Sequence, residues 1–136
     1  MLRFQRTIKN AILCEGIGLH SGKAVKIKIK PAPVDTGVVF IRTDLGGCEI
    51  KAVAANTAAT SYATTLCRNG ATVKTVEHLL AAFAGLNIDN AFVELQDGGL
   101  PIQAELNPKL LALAERTGIP PVTTGDIHYL RHEDAT

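Results

Sequence analysis

The sequence is poor in aromatic residues and in cysteine. Its 136 residues include no Trp, two Tyr and four Phe, so Val, Ile, Leu and Ala must fill most of any core. The three cysteines, Cys14, Cys48 and Cys67, are odd in number and unclustered, which argues against a disulfide framework and favours a reducing compartment. No apolar run approaches the ~20 residues of a membrane span, and no signal peptide opens the chain. These absences predict a cytoplasmic protein without a membrane span.

What is present suits a soluble globular domain. Hydrophobic residues make up 46% of the chain and charged residues 20%. Chains of about 150 residues bury roughly two-thirds of their unfolded surface, which is enough for a real core. We therefore expect one domain over residues 1–136.

The formal net charge of +1 hides a basic first segment. Residues 1–30 carry seven Lys and Arg against a single acid, Glu15. Part of this excess lies in residues 25–30, where apolar residues and lysines alternate with period two. One interpretation is a strand with its valine and isoleucines inward and its lysines in water. The other is an anion-binding face, but no aromatic residues interleave to stack bases, so nucleic acid is not an expected partner.

Hydrophobic periodicity and turn residues predict six strands and two helices. The predicted strands are 3–13, 24–31, 37–42, 62–67, 71–74 and 88–96, whereas 45–61 is ambiguous. The first helix is expected to have Thr75 as its N-cap and to stop at Gly85. The second has Asn107 as its cap, Pro108 at its first position and Gly118 at its end. The fold class predicted is α+β, a two-layer sandwich of a small mixed sheet packed on two helices.

The tetrapeptide at 75–78 carries the clearest chemistry. Glu77 and His78 put a carboxylate beside an imidazole in the first turn of an apolar helix. Hydrolytic zinc sites use a neutral imidazole as a ligand and a nearby carboxylate as a proton acceptor. The pair lacks the second histidine four residues on that makes metalloprotease helices specific. Ordinary capping by the glutamate and a solvated histidine therefore remains an open alternative.

Several stretches in the first 95 residues match a known family in order. They are Gln5–Ile8, Gly16–Gly22, Pro31–Pro33, Thr36–Val38, Arg42–Leu45, Thr75–Ala82 and Gly85–Asn90. Residues 1 to about 95 resemble the N-terminal domain of the zinc-dependent UDP-3-O-acyl-N-acetylglucosamine deacetylases of lipid A biosynthesis. The resemblance implies that Glu77 is the general base, that His78 is a zinc ligand and that His20 lies near the site. It also implies Zn²⁺ as cofactor, an acylated UDP-sugar as substrate and a two-layer fold.

The resemblance has departures. The family's second domain, which supplies another His and an Asp as zinc ligands and a catalytic His, has no counterpart in these 136 residues. The family's Pro-Ile-x-Asp-Gly-Ser segment is replaced by residues 101–106, which lack the Asp-Gly-Ser. These departures predict an incomplete metal site.

A second resemblance covers residues 92–136. Glu94–Gln103, Asn107–Gly118 and Asp126–Leu130 resemble the end of the polymerase-and-histidinol-phosphatase (PHP) domain of bacterial replicative DNA polymerase α subunits. That resemblance implies a metal role for Asp126 and His128, but the other motifs of that metal cluster are absent. We therefore predict a chimaera with a seam between about Ile88 and Asp97.

Three functions follow from these resemblances. The first expectation is a catalytically inactive chimaeric or truncated domain, in which the polymerase-like helix and strand complete the fold. A loose fit of that segment would favour a homodimer formed by domain swapping. The alternative is the functional half of a zinc-dependent deacetylase completed by another chain. A second alternative is a polymerase-derived nucleic-acid or phosphoester module.

Overall fold

The computed structural model describes residues 4–18, 22–61 and 63–102. These residues belong to one compact unit that spans residues 1–104. The predicted second helix at 107–118 and the apolar tail beyond it lie outside the described residues. The single domain over 1–136 therefore stays a prediction.

The described chain forms two sheets and one α-helix. The strands are β1 (Ile12–Gly18), β2 (Ala24–Pro31), β3 (Val38–Arg42), β4 (Cys48–Lys51), β5 (Thr57–Ala59), β6 (Thr65–Arg68), β7 (Ala71–Lys74), β8 (Ala91–Leu95) and β9 (Pro101–Ile102). The larger sheet has the order β4-β3-β8-β2-β1-β9, and the smaller has the order β5-β6-β7. Among the described strands of the larger sheet, β3 and β8 pair in parallel and the other neighbours are antiparallel, so this sheet is mixed, as predicted.

The alternating pattern at 25–30 is confirmed as a strand with one buried face. Val25, Ile27 and Ile29 are buried, while the lysines between them point to the other face of the sheet. Strand β2 lies between β1 and β8, so its apolar face packs in the middle of the sheet. Period-two patterning fixes which face is inward, because shifting the register by one residue would expose every apolar side chain.

The prediction of a first strand at 3–13 was wrong in its bounds. Strand β1 begins at Ile12 and continues to Gly18, five residues beyond the predicted end at 13. The segment before it is held by side chains instead of a ladder: the Gln5 side chain exchanges hydrogen bonds with Asp35 and accepts one from Asn90 Nδ2. Because the hydrogen-bonded residues lie up to 85 positions apart in the sequence, no local sequence pattern predicts this arrangement.

The helix α1 spans Glu77–Gly85, so the predicted end at Gly85 is confirmed. The predicted N-cap was wrong: Val76 occupies that position, and no side chain caps the helix. Two helices were predicted, and the described residues contain one α-helix. That helix is nine residues long, too short to cross a membrane.

One hydrophobic cluster joins both sheets to α1. Its most deeply buried side chains are Phe40, Ile50, Val73, Val76, Val93 and Leu95. Phe83 is the buried residue of α1, and Leu79 and Leu80 pack against the same cluster. The cluster therefore anchors the first turn of the helix, where Glu77 and His78 lie, to the sheets beneath it.

Candidate functional site

The chain turns sharply between β7 and α1, immediately before the predicted site. Thr75 is buried and has a φ of 62°, in the left-handed region. The next residue, Val76, is completely buried in the hydrophobic cluster. Together they turn the chain from a strand into a helix within two residues, and this turn sets where the side chains of the first helical turn point.

The backbone of Thr64 closes this turn. Its carbonyl oxygen accepts hydrogen bonds from the amides of Thr75, at 2.9 Å, and of Val76, at 3.4 Å. Its own amide donates to Oε2 of Glu77, at 3.1 Å. One residue just before β6 thus contacts three successive residues at the start of α1.

Glu77 is half-buried and is held by one of its two carboxylate oxygens. Within the described chain, Oε1 accepts no hydrogen bond. The carboxylate lies in the first turn of α1, where the helix dipole favours an anion. A carboxylate anchored by one oxygen has the fixed direction that a proton acceptor needs.

His78 is exposed and makes no hydrogen bond or ion pair with another described residue. An exposed imidazole suits the predicted metal role and equally suits a solvated histidine. Across residues 4–18, 22–61 and 63–102, no group of three or more His, Cys, Asp and Glu side chains could hold a metal ion. The other predicted site residues, His20, Asp126 and His128, lie outside the described residues, so their roles stay predictions.

A buried arginine that contacts β7 was not assigned a role from the sequence. Arg42, at the end of β3, donates from Nε and Nη2 to the two carboxylate oxygens of Asp44, at 2.9 and 2.6 Å. Its Nη1 donates to the carbonyl of Thr72 in β7, at 2.6 Å. The hydrogen bond to Arg42 lowers the pKa of Asp44, and the same bond raises the pKa of Arg42.

The loop after β8 lies directly against this arginine. The Gly98 carbonyl accepts a hydrogen bond from the amide of Lys74, at 2.7 Å, one residue before the left-handed turn. A Cβ at Gly98 would lie 2.8 Å from the Thr72 carbonyl oxygen and 2.9 Å from Arg42 Nη1. The sequence shows an acid, Asp44, two residues after Arg42, and a glycine pair at 98–99 much later in the chain. Only the fold brings these features together.

The lysines of β2 are largely neutralised. Lys26 pairs with Glu15 of the neighbouring strand β1, at 2.7 Å, and Lys30 pairs with Glu94 of β8. Among the described residues, only Lys28 of the three makes no ion pair. This arrangement gives no support to an anion-binding face on β2.

Comparison with known proteins gives matches along most of the chain. A family model described as LpxC, UDP-3-O-acyl N-acetylglycosamine deacetylase, matches residues 5–119. A UDP-3-O-acyl-N-acetylglucosamine deacetylase of Marinobacter nauticus is 51% identical over 116 residues, covering 85% of this chain and 38% of the relative. The protein of the same name from Pseudomonas entomophila is 57% identical over 99 residues, covering 72% and 33%. That from Solibacter usitatus is 45% identical over 118 residues, covering 87% and 40%.

These matches bear on the length of the chain and on the predicted seam. The chain spans two fifths or less of the length of these three relatives. The family match continues to residue 119, beyond the seam predicted between Ile88 and Asp97. The comparisons therefore support the deacetylase resemblance and give no support to the polymerase resemblance or to a chimaera.

Proposed function

Because this chain belongs to the UDP-3-O-acyl N-acetylglycosamine deacetylase family, we propose that it contributes Glu77 and His78 to a zinc-dependent amide hydrolysis. Glu77 is the proton acceptor, and His78 is one metal ligand. The substrate class is an acylated UDP-sugar, as in the names of the matched relatives. The observation that carries the proposal is the anchored carboxylate of Glu77, which the exposed His78 follows directly in the chain.

The geometry of Glu77 suits proton transfer. Oε2 is occupied by the Thr64 amide, so Oε1 is the oxygen available to take a proton from the attacking water and hand it to the leaving amine. Holding the carboxylate in one direction restricts its rotamers before the reaction begins. Less side-chain entropy is then lost on reaching the transition state. Glu77 lies in the first turn of α1, at the end of the helix where the dipole favours negative charge.

The described residues do not by themselves fit a zinc ion. A catalytic zinc has three protein ligands and one open position, where it lowers the pKa of a bound water. The described part of the chain offers one ligand, His78, and no cluster of three. The remaining ligands must come from residues outside the described ranges or from another chain, so no step of the reaction is assigned to the metal.

The second part of the proposal is that these 136 residues alone do not deacetylate the substrate, because they span two fifths or less of the length of the matched relatives. Losing ligands removes both the affinity for the metal and the geometry that activates water. The alternative is a functional half whose site is completed by a second chain, either a separate partner or a second copy in a swapped dimer.

The first test is the zinc content of dialysed protein by elemental mass spectrometry, beside an assay for deacetylation of the acylated UDP-sugar. We expect well below one zinc per chain and no hydrolysis. About one zinc per chain, lost in His78→Ala, with hydrolysis lost in Glu77→Gln, would overturn the proposed inactivity and support the completed half-site. Glu49→Gln on the exposed face of β4 is the matched control, because it removes the same charge away from the site.

His128→Ala separates the polymerase-like alternative from the deacetylase site. If zinc is retained by His78→Ala and lost from His128→Ala, the metal is bound by the Asp126 and His128 motif. Salt-sensitive binding of DNA would point the same way. The zinc result would contradict the deacetylase assignment of the metal, and DNA binding would support the polymerase-like alternative.

A further inference from the structure

The left-handed turn at Thr75 has no role in the proposal above, although it immediately precedes the two site residues. We propose that Thr75 is a positioning residue, whose left-handed backbone, closed onto Thr64, sets the direction of the Glu77 carboxylate. The inference rests on the proposed role of Glu77 in proton transfer, and it adds the device that orients this side chain.

The conformation of Thr75 is the first argument. Four described non-glycine residues have a positive φ, and the other three are Asp35, Asn69 and Asn87. Asp and Asn tolerate this region, whereas a β-branched residue there is an outlier. Such strain persists only where the surrounding structure holds it, and it is concentrated at functional sites.

The surroundings of Thr75 do hold it in place. Its side chain is buried, its amide donates to Thr64, and the following Val76 is fully buried. On the strand side, the amide of the preceding Lys74 is bound to Gly98. The turn is therefore fixed from the strand, from the loop after β8 and from the hydrophobic cluster.

The consequence for Glu77 is the second argument. Thr64 binds the turn through its carbonyl and Glu77 through its amide, so both contacts depend on the same peptide geometry. With a negative φ at Thr75 the chain would leave β7 in another direction, and Thr64 could not make both contacts. The left-handed turn thus holds Oε2 and leaves Oε1 for proton transfer.

The test is amide hydrogen exchange of this chain by NMR, with the Thr64 amide as the reporter. Glu77→Ala is expected to lower its protection about tenfold or more, since a hydrogen bond to a charged acceptor is lost. Thr75→Pro, which forbids a positive φ and removes the amide donor, is expected to do the same. Thr75→Asn is expected to keep the wild-type protection. The Leu80 amide, bonded to Val76 at 3.0 Å inside α1, is the internal control and keeps its protection in every variant.

A second measurement decides the matter if the proline variant does not fold. Thr75→Gly is expected to leave Tm at or above the wild-type value, because glycine adopts this conformation without strain. Thr72→Gly, the same change in β7 three residues earlier, is expected to lower Tm by about 4 °C or more. An equal loss of Tm in both glycine variants would overturn the proposal, as would full Thr64 protection in Thr75→Pro.

These outcomes are independent of whether the chain deacetylates anything. If the Thr64 amide responds as expected but no assembly containing this chain hydrolyses the substrate, the turn orients Glu77 and the proposed function fails. If hydrolysis depends on Glu77 but the Thr64 amide is indifferent to Thr75, the proposed function stands and this inference fails.

Discussion

Replacing Gly98 by alanine is a sharp test of the packing beside the site. The added Cβ would lie 2.8 Å from the Thr72 carbonyl oxygen, about 0.6 Å inside the 3.4 Å at which ordinary contact begins. It would also lie 2.9 Å from Arg42 Nη1. Neither neighbour can retreat easily, because the carbonyl belongs to β7 and the guanidinium is held by two hydrogen bonds to Asp44.

The magnitude follows from overpacking. Forcing an extra methyl group into a filled site costs about 1–3 kcal/mol, because the backbone or a side chain must move. The loop would also be pushed from the Lys74 amide, whose 2.7 Å hydrogen bond to Gly98 joins it to β7. At about 4 °C per kcal/mol for a chain of this size, Tm should fall by roughly 4–12 °C.

The assay is thermal and urea unfolding, both followed by circular dichroism, with Gly99→Ala as the matched control. The nearest atom to a Cβ at Gly99 is the Asp97 carbonyl oxygen at 3.8 Å, an ordinary contact, so this variant should stay within ~0.5 kcal/mol of wild type. A Gly98 variant as stable as the wild type would refute the close approach of this loop to Arg42. Equal losses in both variants would show that the steric clash is not the cause.

Three further predictions test the rest of the described fold. Phe40→Ala should lower the free energy of unfolding by about 3–5 kcal/mol, because the ring is fully buried, whereas Phe4→Ala, at 88% exposure, should change it by less than ~0.5 kcal/mol; urea titration measures both. The Asp44 carboxylate, whose pKa the Arg42 hydrogen bond holds below the usual 3.8, stabilises the fold above that pH and loses the effect as the pH falls through its lowered pKa. The Tm difference between wild type and Asp44→Asn should therefore be largest near neutral pH and shrink below pH ~4, and a difference that grows in acid would contradict the pairing. Gly85→Ala should raise stability by about 0.5–1 kcal/mol in thermal melts, because this helical position has open space around it; a loss would mean that the helix has already ended there.

Much of the fold was predictable where one periodic pattern determines one element. The bounds predicted for β2 and β7 match those observed, and β3 differs by one residue at its start. The end of α1 at Gly85 was also predicted, because glycine interrupts the apolar periodicity there. These elements follow from the period of their apolar residues and from local turn chemistry.

The elements that were missed depend on distant partners. Strand β1 runs through Gly16–Gly18 because β2 supplies a ladder partner for each of these residues except the last, which pairs with β9. The short strands β4 and β5, in the ambiguous 45–61 region, are likewise defined by their neighbours in the two sheets. Turn-forming residues and short strands have weak local preferences, so pairing decides their conformation.

The sequence alone determined the family, the inward face of β2 and the identity of the two candidate site residues, because short motifs and periodicity are local properties. Only the tertiary structure decided that Thr75 is left-handed and that Thr64 holds the Glu77 carboxylate. It alone also brought Arg42 against the Gly98 loop. Each of these features joins residues that are distant in the sequence or involves a backbone angle that the residue type disfavours, and such arrangements exist only when the packed surroundings impose them.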